Sequence, residues 1–351
     1  MRRVSHLKLT AYSSQLLIAF FLSVFFASCE EVIPVDPDTS ESQLVLNAVP
    51  SAGKQLSVYF AYSRYFLDNS NNHPVPDITM TISVNGRDYS RPDSVVRCNY
   101  WFPYTLQPDD SLAIRIDAGG HHVSAHTYVP RLPQVENFTA IIDTSGTIGE
   151  SVGLGAFRLM ALNFDLTDYP SHDDYYCITL EQRDSGSRYY EFLDRYDTVD
   201  TSFLTYFICL DRSLTAPEVA AIPGMGDAFF NRLLFSDKNI EGKTHNTGLM
   251  LLMLKDTTEI EPFVHQYTLH IESVTPERMR YLTDIATATS LMQIFSEPAG
   301  IYTNVTGALG IFAGNARRTY PIHPDTLAVP SAASRAIGLS RVFPSLKGLQ
   351  R

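Results

Sequence analysis

Four aspartates crowd a stretch of ten residues, Asp165, Asp168, Asp173 and Asp174. Carboxylate oxygens gathered in a loop suit Ca²⁺, whose sites take about six to eight oxygen ligands. The spacing is not that of an EF-hand, so these residues are either ligands of a structural Ca²⁺ or ordinary turn aspartates. A second chemical pattern is Gly149-Glu150-Ser151-Val152-Gly153, which fits the G-x-S-x-G motif of serine hydrolases. That motif needs a strand-to-helix turn within alternating strands and helices, whereas Gly153-Leu154-Gly155 leads into another strand-like run. Ser151 therefore reads as a loop residue, and a hydrolase is kept only as a distant alternative. His121, His122 and His126 suggest metal at first sight. On a strand His122 and His126 share a face but stand about 13 Å apart at about 3.3 Å per residue, too far to chelate one ion. They read as solvated histidines. No catalytic residue, transition-metal set or soluble cofactor is expected.

The sharpest assignment is Cys29. Met1 to Ser28 carries Arg2, Arg3 and Lys8, then an apolar run from Leu16 through Phe26, then Ala27-Ser28 before the cysteine. A basic segment, a short apolar segment and small residues before a cleavage point make a secretory signal. The apolar run is shorter than the roughly 20 residues a spanning helix needs. A thiol at this position can be diacylated and become the new N-terminus, and the pattern resembles a bacterial lipobox with Phe26 where Leu is commoner. The alternative is an ordinary signal with an incidental cysteine. Residues 29–42 hold Glu30, Glu31, Asp36, Asp38 and Glu41 with little apolar content, which describes a tether. Acidic residues directly after the cysteine resemble the surface-export signal of Bacteroidota lipoproteins; otherwise the tether faces the periplasm.

Cleavage before Cys29 removes three basic residues and no acidic one, leaving 24 Lys and Arg against 38 Asp and Glu, a net −14. Such a chain without a basic block is a poor partner for nucleic acid or for direct attraction to anionic lipid. Hydrophobic content of 44% with 19 Tyr and 20 Phe indicates a folded, β-leaning body. Cys98, Cys177 and Cys209 remain, and an odd number permits at most one disulfide.

Mostly β architecture must position these residues. Strands are predicted at 43–49, 55–61, 78–84, 87–89, 95–102, 111–116 and 122–129, with Asn85-Gly86 as a hairpin turn. Residues 43–130 form a β-sandwich of immunoglobulin-like size on this reading. Pro130-Arg131-Leu132-Pro133 is a stiff junction to a second β-rich domain, 131–320, followed by an irregular tail, 321–351. The second domain's strands are placed at 135–143, 156–166, 175–182, 205–210, 248–254 and 263–273. A short helix starts near Thr215, and a longer one opens at Thr275-Pro276-Glu277, with Met279, Leu282 and Ile285 packing on a sheet. Tyr59, Tyr62, Tyr65 and Phe66 form an aromatic loop that either contacts a partner or fills the sandwich edge.

Several segments resemble a known family. Asn163-Phe164-Asp165-Leu166-Thr167-Asp168 leading to Asp174-Tyr175-Tyr176-Cys177-Ile178, then Leu234-Phe235-Ser236-Asp237 with Ile240-Glu241-Gly242, and Glu297-Pro298 with Ile301 to Gly314, are similar to the domain of unknown function 4249. Ala308 departs from the family's usual Gly. The resemblance implies an outer-membrane lipoprotein of Bacteroidota, with genes often beside TonB-dependent transporters, and no established activity. The expected function is a non-catalytic cell-surface lipoprotein that binds a ligand or partner, accessory to a TonB-dependent β-barrel. The alternative is a structural or adhesive envelope lipoprotein.

Overall fold

The computed structural model describes residues 42–64, 74–142, 157–170, 173–190, 195–209, 211, 214, 229–240, 242–254, 264–288 and 300–322. Cys29 and its signal, most of the tether, Ser151, Tyr65, Phe66, the helix expected near Thr215 and the tail from 323 lie outside them. In chain order the first strands are β1 (Leu44–Ala48), β2 (Gln55–Tyr62), β3 (Ile78–Val84), β4 (Arg87–Tyr89), β5 (Ser94–Val96), β6 (Asn99–Thr105), β7 (Ser111–Ala118), β8 (His121–Tyr128) and β9 (Gln134–Ile142). Then come β10 (Phe157–Thr167), β11 (Tyr175–Tyr190), β12 (Arg195–Thr205), β13 (Phe207–Cys209), β14 (Phe229–Phe230), β15 (Arg232–Ser236), β16 (Thr244–Leu254) and β17 (Val264–Val274). Helix α1 (Pro276–Ala288) precedes β18 (Leu309–Phe312) and β19 (Asn315–Ile322).

The first core lies between two sheets, ordered β18-β1-β2-β6-β5 and β4-β3-β7-β8. Strict alternation builds it: β7 buries Leu112, Ile114, Ile116 and Ala118 and exposes the residues between them. Each such Leu or Ile contributes about 1.5–3 kcal/mol when fully removed from water. Asn85 and Gly86 both take positive φ, +51° and +82°, closing β3 onto β4 as expected. The run 95–102 is not one strand. Arg97 and Cys98, at φ +48° and +64°, turn the chain between β5 and β6. Neither residue advertises a turn. The conformation is held from outside, because the Phe60 N–H donates to the Cys98 carbonyl at 3.0 Å and Cys98 is wholly buried.

The second core lies between sheet β14-β13-β16-β10-β9 and sheet β12-β11-β17-β19, with β15 paired to the start of β11. Strand β12 was not expected, since its alternation of Asp, Thr and Val between Tyr196 and Thr205 shows little apolar signal. Thr275 caps α1, its hydroxyl accepting from the Arg278 N–H at 3.4 Å, with Pro276 at the first turn. As expected, Leu282 and Met279 pack on a sheet, against Cys177, Leu234 and Val274.

The chain leaves the first core at Val129 and meets the second at Val135. Beyond α1 the chain returns: β18 pairs parallel to β1, and Val305 and Phe312 join the first core. Residues 304–313 thus lie with the first sandwich, while β19 rejoins the second by pairing with β17. Gly310 permits the return, because a Cβ there would lie 2.1 Å from the Leu46 carbonyl oxygen. Gly314 permits the crossing back, where a Cβ would meet the Tyr128 carbonyl at 1.9 Å.

Candidate functional site

Two of the four expected aspartates come together, and a third comes from far along the chain. Asp168 follows β10 directly, Asp174 precedes β11, and Asp237 opens the short 3-10 turn Asp237–Asn239 after β15. Their carboxylates offer oxygens all within 4.8 Å of one another. Asp168 and Asp237 are 2% and 5% exposed. Asp168 accepts from the Tyr176 hydroxyl at 2.8 Å and the Gly242 N–H at 2.9 Å. Asp237 accepts from the Asp174 N–H at 2.8 Å, and its own N–H donates to the Asp174 carbonyl at 3.0 Å. Burial, then the bond to Asp168, pushes the Tyr176 phenol far above its ordinary range. The arrangement locks three turns together and presents hard oxygens of the type Ca²⁺ takes.

Asp165 is not part of it. It lies on the outer face of β10, accepting from Asn137 at 2.7 Å and Asn246 at 2.6 Å, and these two amides hold its carboxyl below the usual range. Asp173 is exposed. The expected four-aspartate set is thus corrected to Asp168, Asp174 and Asp237. Asp237 is 63 residues from Asp174, beyond any local spacing rule; its only signal was membership of the Leu234-Phe235-Ser236-Asp237 segment.

Tyr59 and Tyr62 sit in strand β2 rather than a loop, and alternation puts them on opposite faces. Tyr62 is 39% exposed at the strand end, while half-buried Tyr59 lies on the outer face of its sheet. There the register aligns Tyr59 with Asn99 and Val96, and Ser57 with Trp101 and Ser94. Val95 and Val96 on edge strand β5 are exposed. The histidines of β8 are exposed as expected. Cys98, Cys177 and Cys209 are buried free thiols.

A polar cluster that spacing did not reveal lies on the second face of the β11–β17–β19 sheet. Register brings Cys177 level with Glu272, Thr179 with His270, and Glu272 with Arg317, while Arg232 of β15 stands opposite Thr179. Helix α1 covers this face in part, leaving a cavity of about 120 Å³ among these residues, Arg278, Glu181, Leu204 and Leu282. Glu272 is 2% exposed. Burial alone would raise its carboxyl; Arg278 at 3.4 Å, an ion pair with Arg317 and the Asn315 amide at 2.7 Å outweigh that and hold it below the usual range. Glu181 is held low by the Ser202 hydroxyl and by His270, whose Nε2 stands 2.9 Å away. Burial, then Glu272, pushes the Cys177 thiol up to about 12 against the pull of the three arginines.

Two sandwich cores stitched by a returning strand define a mostly β protein whose polar clusters lie at strand ends and on a covered sheet face. The chain belongs to the DUF4249 family, a domain of unknown function, whose model matches residues 30–320. The match takes in the strand β10 to β11 segment, the turn after β15 and the returning Ile301 to Gly314 segment that carried the resemblance. Among curated proteins none matches this chain. Among solved structures the Enterococcus faecalis MSCRAMM ACE, described as binding its ligands by the collagen Hug model, is similar at 8% identity and a TM-score of 0.21. That alignment covers 80% of this chain and 93% of the other, and its score is too low to carry a fold or a function. Among the described residues no helix is long and apolar enough to cross a membrane.

Proposed function

We propose that this is a non-catalytic lipoprotein, diacylated on Cys29, displayed at the outer surface of an outer membrane, that acts by docking to a β-barrel transporter of that membrane. The observation that carries the docking is the outer face and edge of the first sheet. Val96 is 56% exposed and Val95 44%, on an edge strand beside Tyr59 and Trp101. Exposed aliphatic side chains next to half-buried aromatics, on a strand edge that pairs with no other strand among the described residues, favour a protein partner, since such an edge is a template for one. A lipid anchor with an acidic tether confines the body near other membrane proteins, so a modest interface suffices. The buried, neutral thiols and the carboxylates engaged in turns support binding over turnover.

The test is crosslinking on intact cells followed by mass spectrometry of the captured partner. A β-barrel transporter is expected, with capture reduced in a Tyr59→Ala/Trp101→Ala double variant, since interface aromatics can each contribute about 2 kcal/mol or more. Capture of no barrel would leave a structural or adhesive envelope role. In parallel, Cys29→Ala should lose labelling by a fatty-acid probe; retained labelling would defeat the lipoprotein reading.

A further inference from the structure

We infer that the cavity between α1 and the β11–β17–β19 sheet is a binding site for a small oxyanion, the carboxylate or phosphate head of a ligand. Three guanidiniums meet two carboxylates there. Glu272 is engaged by Arg278 and Arg317, and Glu181 is engaged by His270 and Ser202. Arg232 forms no ion pair among the described residues, so its charge is left without a counterion at the cavity wall. Arg278 is already committed, its Nη2 reaching Glu272, and its buried Nε does not face the cavity. A guanidinium presents its N–H groups as a planar fork that matches the paired oxygens of carboxylate and phosphate. The site is therefore positively biased, carries the unengaged donors of Arg232 and is walled on its apolar side by Leu204 and Leu282.

A cavity of about 120 Å³, well above the roughly 10–15 Å³ that one water needs, has room for an oxyanion head. Leu204 is 37% exposed, so the cavity has a mouth through which the rest of a ligand would extend. Cys177 at its floor is a neutral thiol at physiological pH, which suits binding and not nucleophilic attack. This site is on the second core and independent of the edge of the first sheet, so it stands or falls apart from the docking reading.

The full chain, purified in detergent, is titrated calorimetrically with succinate and with inorganic phosphate, against chloride at matched ionic strength. One-site saturable binding of succinate or phosphate is expected, the better of the two identifying the head group. Arg232→Gln should weaken that binding roughly tenfold or more, the range of one lost charged hydrogen bond. Arg115→Gln, on the exposed face of β7, should leave it unchanged. Absence of saturable binding of either oxyanion beyond the chloride control, or equal affinity in Arg232→Gln, would overturn the site. Transporter capture by intact cells is measured on the same Arg232→Gln variant and is expected to persist.

Discussion

The two faces of strands β11 and β17 make the most instructive contrast in the molecule. Both are covered. Toward the second core, Ile178, Leu180, Leu269 and Ile271 pack as an apolar layer. Toward α1, the alternating residues Thr179, Glu181, His270 and Glu272 form a polar layer in which Glu272 pairs with Arg317 of β19 and Arg278 of the helix and Glu181 with His270, with Arg232 of β15 beside them. A two-fold alternation of apolar and polar residues ordinarily marks one wet face. Here it marks one dry apolar face and one charged face that is only partly buried, because a helix folds back over the polar side and leaves Glu181 and Arg317 in contact with water. The apolar layer gains by leaving water. The charged layer is held by mutual satisfaction, and a charge left alone in it is costly.

Breaking each layer should separate these two modes. Glu272→Ala leaves Arg278 facing an empty partner position, and removing one member of a buried pair costs about 3–5 kcal/mol. Leu269→Ala, wholly buried on the other face, should cost about 2–5 kcal/mol through the cavity it leaves. Denaturant unfolding of both variants measures this, and pH distinguishes them. Glu272 has its folded carboxyl held below the ordinary 4.5, so its contribution is present above that value and is lost as pH falls through the lower folded value. The gap between wild type and Glu272→Gln should therefore shrink on acidification below pH 4.5, while the gap for Leu269→Ala should not follow that titration. A Leu269→Ala gap that closes in the same window would deny the contrast.

A middle-sized effect is expected where carboxylates lock turns instead of pairing with arginines. Asp168→Asn keeps the shape but presents an amide to the Tyr176 hydroxyl or the Gly242 N–H, and an unsatisfied buried group costs about 1–3 kcal/mol. If the cluster also holds Ca²⁺, added Ca²⁺ should raise the unfolding midpoint of the wild type in a concentration-dependent way, and Asp168→Asn should lose that rise. No Ca²⁺ dependence in the wild type would leave the three aspartates as a turn lock alone.

Local chemistry was legible in the sequence and distant pairing was not. Asn85-Gly86 announced its hairpin because both residues tolerate positive φ. Arg97-Cys98 did not, since that turn is imposed by its bond to Phe60. Likewise Asp168 and Asp174 were readable as a crowded pair, but Asp237 joins them only through the pairing of β15 with β11. The return of β18 to β1 was hidden for the same reason: Ile311 donates its N–H to Asn47 Oδ1 across 264 residues. The arginine cavity draws on β11, β12, β15, β17, α1 and β19, and each of its charged residues taken singly reads as an ordinary solvent-facing polar group.

The smallest stability effect should come from Arg232, which has no ion-pair partner among the described residues. Arg232 and Arg278 line the same wall, so proximity alone would predict similar costs. Their roles in the charged layer differ: Arg278 neutralises the buried Glu272, whereas Arg232 neutralises nothing among the described residues. Arg232→Gln should change unfolding free energy by no more than about 0.5 kcal/mol, as for substitutions away from special features. Arg278→Gln should cost several times more, by removing one of the two cations that hold Glu272 charged. Denaturant midpoints of the two variants at neutral pH decide it. A large loss in Arg232→Gln would make that arginine a structural member of the network, and the charged layer would then be closed to any further anion.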